Sequence, residues 1–124
     1  MARIVVSSGS PFEDRIGYAR AVRCGPLVVV AGTTAPGNGA GEQAREALRR
    51  IEAALVEAGA TLADVVRTRM YVTDINRWKD VADVHAAVFG DIRPVATMVE
   101  VSALISPGLL VEIEVDAYVS DSSS

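Results

Sequence analysis

The spacing of apolar and polar positions changes several times along the chain, and each change marks an element. Residues 3–7 (RIVVS) are rich in β-branched side chains and read as a short strand. SGSP (8–11) has the composition of a turn. IGYARAVRC (16–24) alternates, with Tyr18, Arg20 and Val22 on one face and Ala19, Ala21 and Arg23 on the other. A Gly-Pro turn follows. LVVVAGTT (27–34) is then a continuous apolar run, as in a strand buried on both faces. The two runs predict a hairpin over 16–34, followed by a loop at APGNGAG (35–41).

Helical spacing takes over at residue 42. Ala44, Ala47, Leu48, Ile51, Ala54, Leu55 and Ala58 form one stripe, and Gly59 can stop the helix. TLAD (61–64) has the form of a capping turn, and VVRTRMYVTD (65–74) reads as a strand. INRWKDVADVHAAVFG (75–90) predicts a second helix with Trp78, Val81, His85, Val88 and Phe89 along one face, closed by DIRP. VATMVEVSAL (95–104) and LLVEIEVDAYV (109–119) are two further strands. There is no internal repeat and no sign of a second domain. Residues 1–119 are expected to form one domain, with SDSSS (120–124) as a disordered polar tail.

The predicted order is β-β-β-α-β-α-β-β, an α+β fold. Two helices cover only one face of a sheet. The strands at 27–31 and 109–119 nevertheless place Val and Leu on both faces. The second face therefore needs cover from elsewhere, which predicts an oligomer whose sheets pack together.

Composition narrows the function classes. A chain of 124 residues, half of them hydrophobic, suits one folded domain. No apolar run reaches the roughly 20 residues of a membrane helix. The opening MARIVVSSGSP has neither the long apolar segment nor the cleavage site of a signal peptide, so a cytoplasmic protein is expected. The net charge is −4 and the densest basic cluster, REALRR (45–50), has Glu42, Glu46 and Glu52 around it, which argues against nucleic-acid binding. The one cysteine, Cys24, excludes an internal disulfide and is expected to be a structural or idle thiol, in line with the usual burial of free cysteine. The one histidine, His85, cannot build a zinc site without a second histidine or paired cysteines. No phosphate-binding glycine loop, dinucleotide fingerprint or nucleophile elbow is present.

Four stretches resemble the Rid family, also called YjgF or reactive intermediate deaminases. They are IGYARAVRCGPLVVVAGT, VVRTRMYVTDINRW, ATMVEVSAL and VEIEVDAYV, in the family's order. The resemblance implies a chorismate-mutase-like α+β domain assembled as a homotrimer around a central barrel, with small-molecule pockets between subunits. Deaminase members hydrolyse 2-imino acids or their enamines to 2-keto acids and ammonia, without metal or cofactor. Their arginine grips the substrate carboxylate with two parallel hydrogen bonds. It sits in a motif P-x-R-x-x-V-E-V, and here Pro94-Val95-Ala96-Thr97-Met98-Val99-Glu100-Val101 places Ala96 at that position.

The resemblance also nominates Tyr18, Gly32, Thr33 and Thr97 as pocket positions. It places Glu114 where the family holds a water, and His85 where many relatives carry an aromatic residue. Each has a plainer reading. Tyr18 can be a half-buried strand aromatic, Thr97 a strand former, and Gly32 a bend. Arg20, on the face of Tyr18, is either a solvated edge arginine or a cation that reaches the ligand. Arg93 belongs to the loop before Pro94. Glu112, Glu114 and Asp116 share one face of their strand, and adjacent like charges can raise a carboxyl pKa and prepare it for proton transfer. Glu114 is taken as the catalytic candidate, and Glu112 and Asp116 as a solvated polar face. His85 on an apolar helix face reads first as a satisfied core or interface group.

The resulting expectation is a homotrimer with intersubunit small-molecule pockets. It would hydrolyse an imine or enamine, using Glu114 and water, and be poorly suited to simple 2-imino acids. The alternative is a binding module that senses or sequesters a metabolite. A ribonuclease fits poorly with an acidic chain.

Overall fold

The computed structural model describes residues 3–120, so the tail expected at 120–124 lies outside the described residues except for Ser120. Six strands form one sheet: β1 (Arg3–Val6), β2 (Ala21–Cys24), β3 (Leu27–Thr33), β4 (Val65–Val72), β5 (Val95–Glu100) and β6 (Val111–Tyr118). Their spatial order is β1-β2-β3-β6-β4-β5. The pairs are antiparallel except β4 with β5, which run parallel. The helices are α1 (Pro11–Ile16), α2 (Ala40–Glu57) and α3 (Trp78–Phe89).

Helix α1 was not expected. Ser10 caps it by accepting from the Phe12 N–H, Pro11 opens it, and Gly17 ends it with a left-handed φ of 87°. This helix takes the start of the predicted 16–24 strand, so β2 begins only at Ala21. Arg20 still joins the ladder, since its N–H donates to Val6 O and its carbonyl accepts from Ala31 N.

Alternation on β6 sets the two faces of the sheet. Val111, Ile113, Val115 and Ala117 are fully buried beneath the helices, while Glu112, Glu114 and Asp116 are half-buried on the other side. All seven positions of the predicted α2 stripe are buried in the same core. From α3, Val81, Val84 and Phe89 join them, whereas Trp78, expected on that face, is 48 % exposed at the helix start.

Among the described residues no helix covers the opposite face. Its margins are apolar: Val5, Leu27, Val29 and Tyr118 on one side, Val95 and Val99 on the other, all exposed. A polar line of Glu112, Glu114, Asp116, Arg67, Arg69 and Tyr71 runs between them. Cys24 is exposed rather than buried, because it ends β2 beside the Gly25 turn and points to this face.

Candidate functional site

A cleft of about 890 Å³ opens where the C-terminal ends of β1 and β3 meet α1 and α2. Phe12, Ile16, Ile105 and Leu109 supply its apolar surface, and Ser7, Ser8 and Ser10 part of its rim. Its polar end carries Tyr18, Arg20, Gly32, Thr33 and Glu112.

A bulge positions that end. Between Val30 and Thr33 the pairing of β3 with β6 advances three residues on β3 against two on β6, from Val115 to Ile113. Arg20 ties down the irregular backbone. Its Nη1 donates to Gly32 O and to Thr33 Oγ1, each at 2.9 Å. Its Nη2 donates to the Tyr18 hydroxyl at 3.2 Å, and its Cζ lies 5.6 Å from the centre of the Tyr18 ring. The Thr33 hydroxyl donates in turn to Ala31 O at 2.8 Å. Much of the guanidinium is therefore engaged by the protein itself.

Glu112 lies against the bulge. Burial and the charge of Glu114 hold its carboxyl above the ordinary carboxylate range, with Arg20 opposing. Glu114, on the same face, is absent from the cleft wall and accepts a hydrogen bond from the Tyr71 hydroxyl. That bond, followed by burial, pushes the Tyr71 phenol upward.

The Ser7–Ser10 rim is held from below by Glu13, a buried carboxylate. It accepts from Ser8 Oγ, from Ser8 N at 2.9 Å and from Ser7 Oγ at 2.8 Å. These bonds, led by the Ser8 hydroxyl, lower its pKa to about 2. Gln43 holds the other rim. Its Nε2 donates to Gly37 O and Gly108 O, and its Oε1 accepts from Leu110 N.

Of the residues nominated from sequence, Tyr18, Arg20, Gly32 and Thr33 come together in this cleft. His85 does not. It sits on the helix-covered face, where its Nε2 shares a 2.8 Å hydrogen bond with the buried Thr68 hydroxyl and its ring lies 4.8 Å from that of Phe89. Burial lowers its pKa and favours the neutral ring. Ala96 and Thr97 are exposed on the edge strand β5, with β4 between them and β6. Arg93 is an exposed loop residue whose Nε donates to Gly90 O. The sequence reading missed Glu112, taken for a solvated group, and also Glu13 and Gln43. Gln43 alone carried a signal, as a polar residue just before the apolar stripe of α2. Among the described residues no cluster of His, Cys, Asp and Glu could hold a metal ion, and no helix is long and apolar enough to cross a membrane.

The family model described as Endoribonuclease L-PSP matches residues 10–119. The crystal structure of Rv2704 from Mycobacterium tuberculosis, a member of the highly conserved YjgF/YER057c/UK114 family, is similar to this chain with a TM-score of 0.94 and 70 % identity. The match covers 95 % of this chain and 100 % of that one. Streptomyces coelicolor SCO2049, an uncharacterized protein, is 39 % identical over 91 % of this chain and 90 % of its own. The 2-iminobutanoate/2-iminopropanoate deaminase of Salmonella typhimurium is 28 % identical, over 94 % and 96 % respectively. The six-stranded sheet with its helices on one face is the chorismate-mutase-like mixed α+β fold of these proteins. With a matching family model over residues 10–119 and a 70 % identical structural relative, the chain belongs to the YjgF/RidA family.

Proposed function

We propose that the protein is a homotrimer in which the cleft of one subunit meets the β5 edge of the next, and that the completed pocket hydrolyses an imine or enamine to a carbonyl compound and ammonia. The observation that carries this reading is the division of the nominated residues. Tyr18, Arg20, Gly32 and Thr33 share a cleft, while Ala96 and Thr97 stand exposed on the far edge strand. A second copy is what would bring the two sets together. The uncovered sheet face, apolar at both margins, supports the same assembly.

The substrate class follows from the charges available. Ala96 supplies no cation, and Arg20 has committed Nη1 and part of Nη2 to the protein. A 2-imino acid would lack the paired contact that a free guanidinium gives. Losing such a desolvated contact costs about 2–5 kcal/mol, roughly thirtyfold to several thousandfold. The favoured substrate is therefore an imine or enamine without a carboxylate beside the reacting carbon. The deaminase named for the Salmonella relative supports the reaction type.

The assay generates a neutral imine from benzylamine with an amine oxidase, and the imine of alanine with an amino-acid oxidase. Semicarbazide trapping then follows the decay of each. Faster decay of the neutral imine is expected. If the protein accelerates neither, a metabolite-binding role is the better reading. Sedimentation should give about three times the 13.0 kDa chain mass, and a stable monomer would remove the shared pocket.

A further inference from the structure

The α2 wall gives the cleft a second cation. Arg50 lines it together with Ala53, Ala54 and Glu57. Its Nη1 donates to Thr34 O at 3.1 Å. Arg20 holds Gly32 O and Thr33 Oγ1, so the two guanidinium groups flank the end of β3. The carbonyls they bind are two residues apart, which separates them by about 7 Å at most.

The two arginines differ in what they can still offer. Arg20 donates to three protein oxygens and lies against the Tyr18 ring. The Arg50 Nε stands 3.7 Å from Glu46 Oε2, too far for a good hydrogen bond, and Glu46 has a closer partner in Arg49 at 2.6 Å. Among the described residues the Arg50 Nη2 has no partner, and half of the side chain is open to solvent. The cleft itself, at about 890 Å³, is near the upper end of the range for small-molecule sites and has room for a ligand longer than a simple imine.

We propose that Arg50 is a specificity-determining residue that binds a carboxylate at the far end of the substrate, separated from the imine carbon by an apolar spacer. The inference rests on the imine-hydrolase reading above and narrows its substrate class. The imine lies at the polar end of the cleft, by Tyr18 and Gly32. The spacer packs on the apolar surface that includes Ile105 and Leu109. The carboxylate accepts a charge-assisted hydrogen bond from the Arg50 Nη2. A carboxylate directly on the imine carbon stays at the Arg20 end, where the guanidinium is already engaged, whereas a distant one reaches the cation that is open. Glu57 stands two turns further along α2, about 10 Å from Arg50 along the axis, and repels an anion placed at that end of the wall. The substrate is thereby held in one direction.

The test compares the imine of benzylamine with that of 4-(aminomethyl)benzoate, which differs by a carboxylate across the ring from the reacting carbon. Wild type should show a kcat/KM about tenfold or more higher for the carboxylate-bearing imine. The preference should shrink at 0.5 M salt, because Arg50 is half exposed. In Arg50→Gln the ratio of the two kcat/KM values should fall to about one, and Arg50→Lys, which keeps the charge, should restore part of it. Because a ratio is read, any general loss from a weakened fold cancels. Calorimetry with the unreactive alcohols benzyl alcohol and 4-(hydroxymethyl)benzoate reads the same site without turnover, and wild type should bind the carboxylate about tenfold more tightly. Equal binding of the two alcohols and equal turnover of the two imines would overturn the anion site and leave the hydrolase reading standing. A preference that persists unchanged in Arg50→Gln would overturn the role of Arg50. Tighter binding of the carboxylate, lost in Arg50→Gln, in a protein that turns over neither imine would support the anion site and overturn the hydrolase reading.

Discussion

The Glu112 carboxylate occupies the space where a side chain on Gly32 would begin. A β-carbon at Gly32 would meet Oε2 at 2.0 Å and Cδ at 2.9 Å, closer than such atoms approach. The backbone at Gly32 has no left-handed conformation, so an alanine is tolerated there once the flexible Glu112 side chain moves aside. Gly32→Ala should therefore fold, with Tm lowered by a few degrees for a loss of about 1 kcal/mol. Imine turnover should fall about tenfold or more. Wild-type turnover in the folded variant would show that the position of the Glu112 carboxylate is immaterial.

Gln43 joins two loops to α2 from a site only 2 % exposed. Its amide meets Gly37 O at 3.2 Å, Gly108 O at 3.0 Å and Leu110 N at 2.8 Å. Gln43→Leu keeps most of the volume and removes all three bonds. Gly37 and Gly108 are exposed, so water can take over their carbonyls, and the cost falls mainly on the half-buried Leu110 N–H; a loss of about 1–3 kcal/mol is expected. Urea unfolding measures it, and a loss below about 0.5 kcal/mol would mean that water replaces the amide completely.

Glu13 gives the cleft rim a defined response to acid. Its folded pKa is about 2, below the ordinary 4.5, because three Ser7 and Ser8 donors bind the ionised form. A depressed carboxyl contributes stability that is fully present above 4.5 and is lost as pH falls toward 2. Glu13→Gln should therefore be clearly less stable than wild type near neutrality, and the difference should shrink through this window. Urea midpoints at a series of pH values test it. A gap that stays constant down to about pH 2 would exclude the carboxylate as its source.

The sequence revealed most where one period persists. The α2 stripe is long enough for its 3.6-residue period to identify every inward position, and the alternation on β6 separates core from polar face. Helix α1 has six residues, too few for a period to show, yet Ser10, Pro11 and Gly17 carried its cap signals. Trp78 matched the apolar face of α3 but starts the helix, and the Lys79 ammonium lies 5.7 Å from its ring centre. That Glu112 rather than Glu114 lines the cleft was not legible. It depends on the Ala31–Gly32 bulge, which arises from pairing between strands far apart in the chain. Nor could a pattern along one strand reveal that Tyr71 engages Glu114.

Residue 96 offers the most direct test of the account. Ala96 is exposed on β5, so an arginine can be accommodated there without disturbing the core. If the cleft is completed by a neighbour's β5 edge and lacks only a carboxylate clamp, Ala96→Arg should raise kcat/KM for the imine of alanine about thirtyfold or more. Turnover of the neutral imine should change little. An Ala96→Arg trimer with no gain on the imine of alanine would contradict the account, because the missing cation would then not be what limits the site.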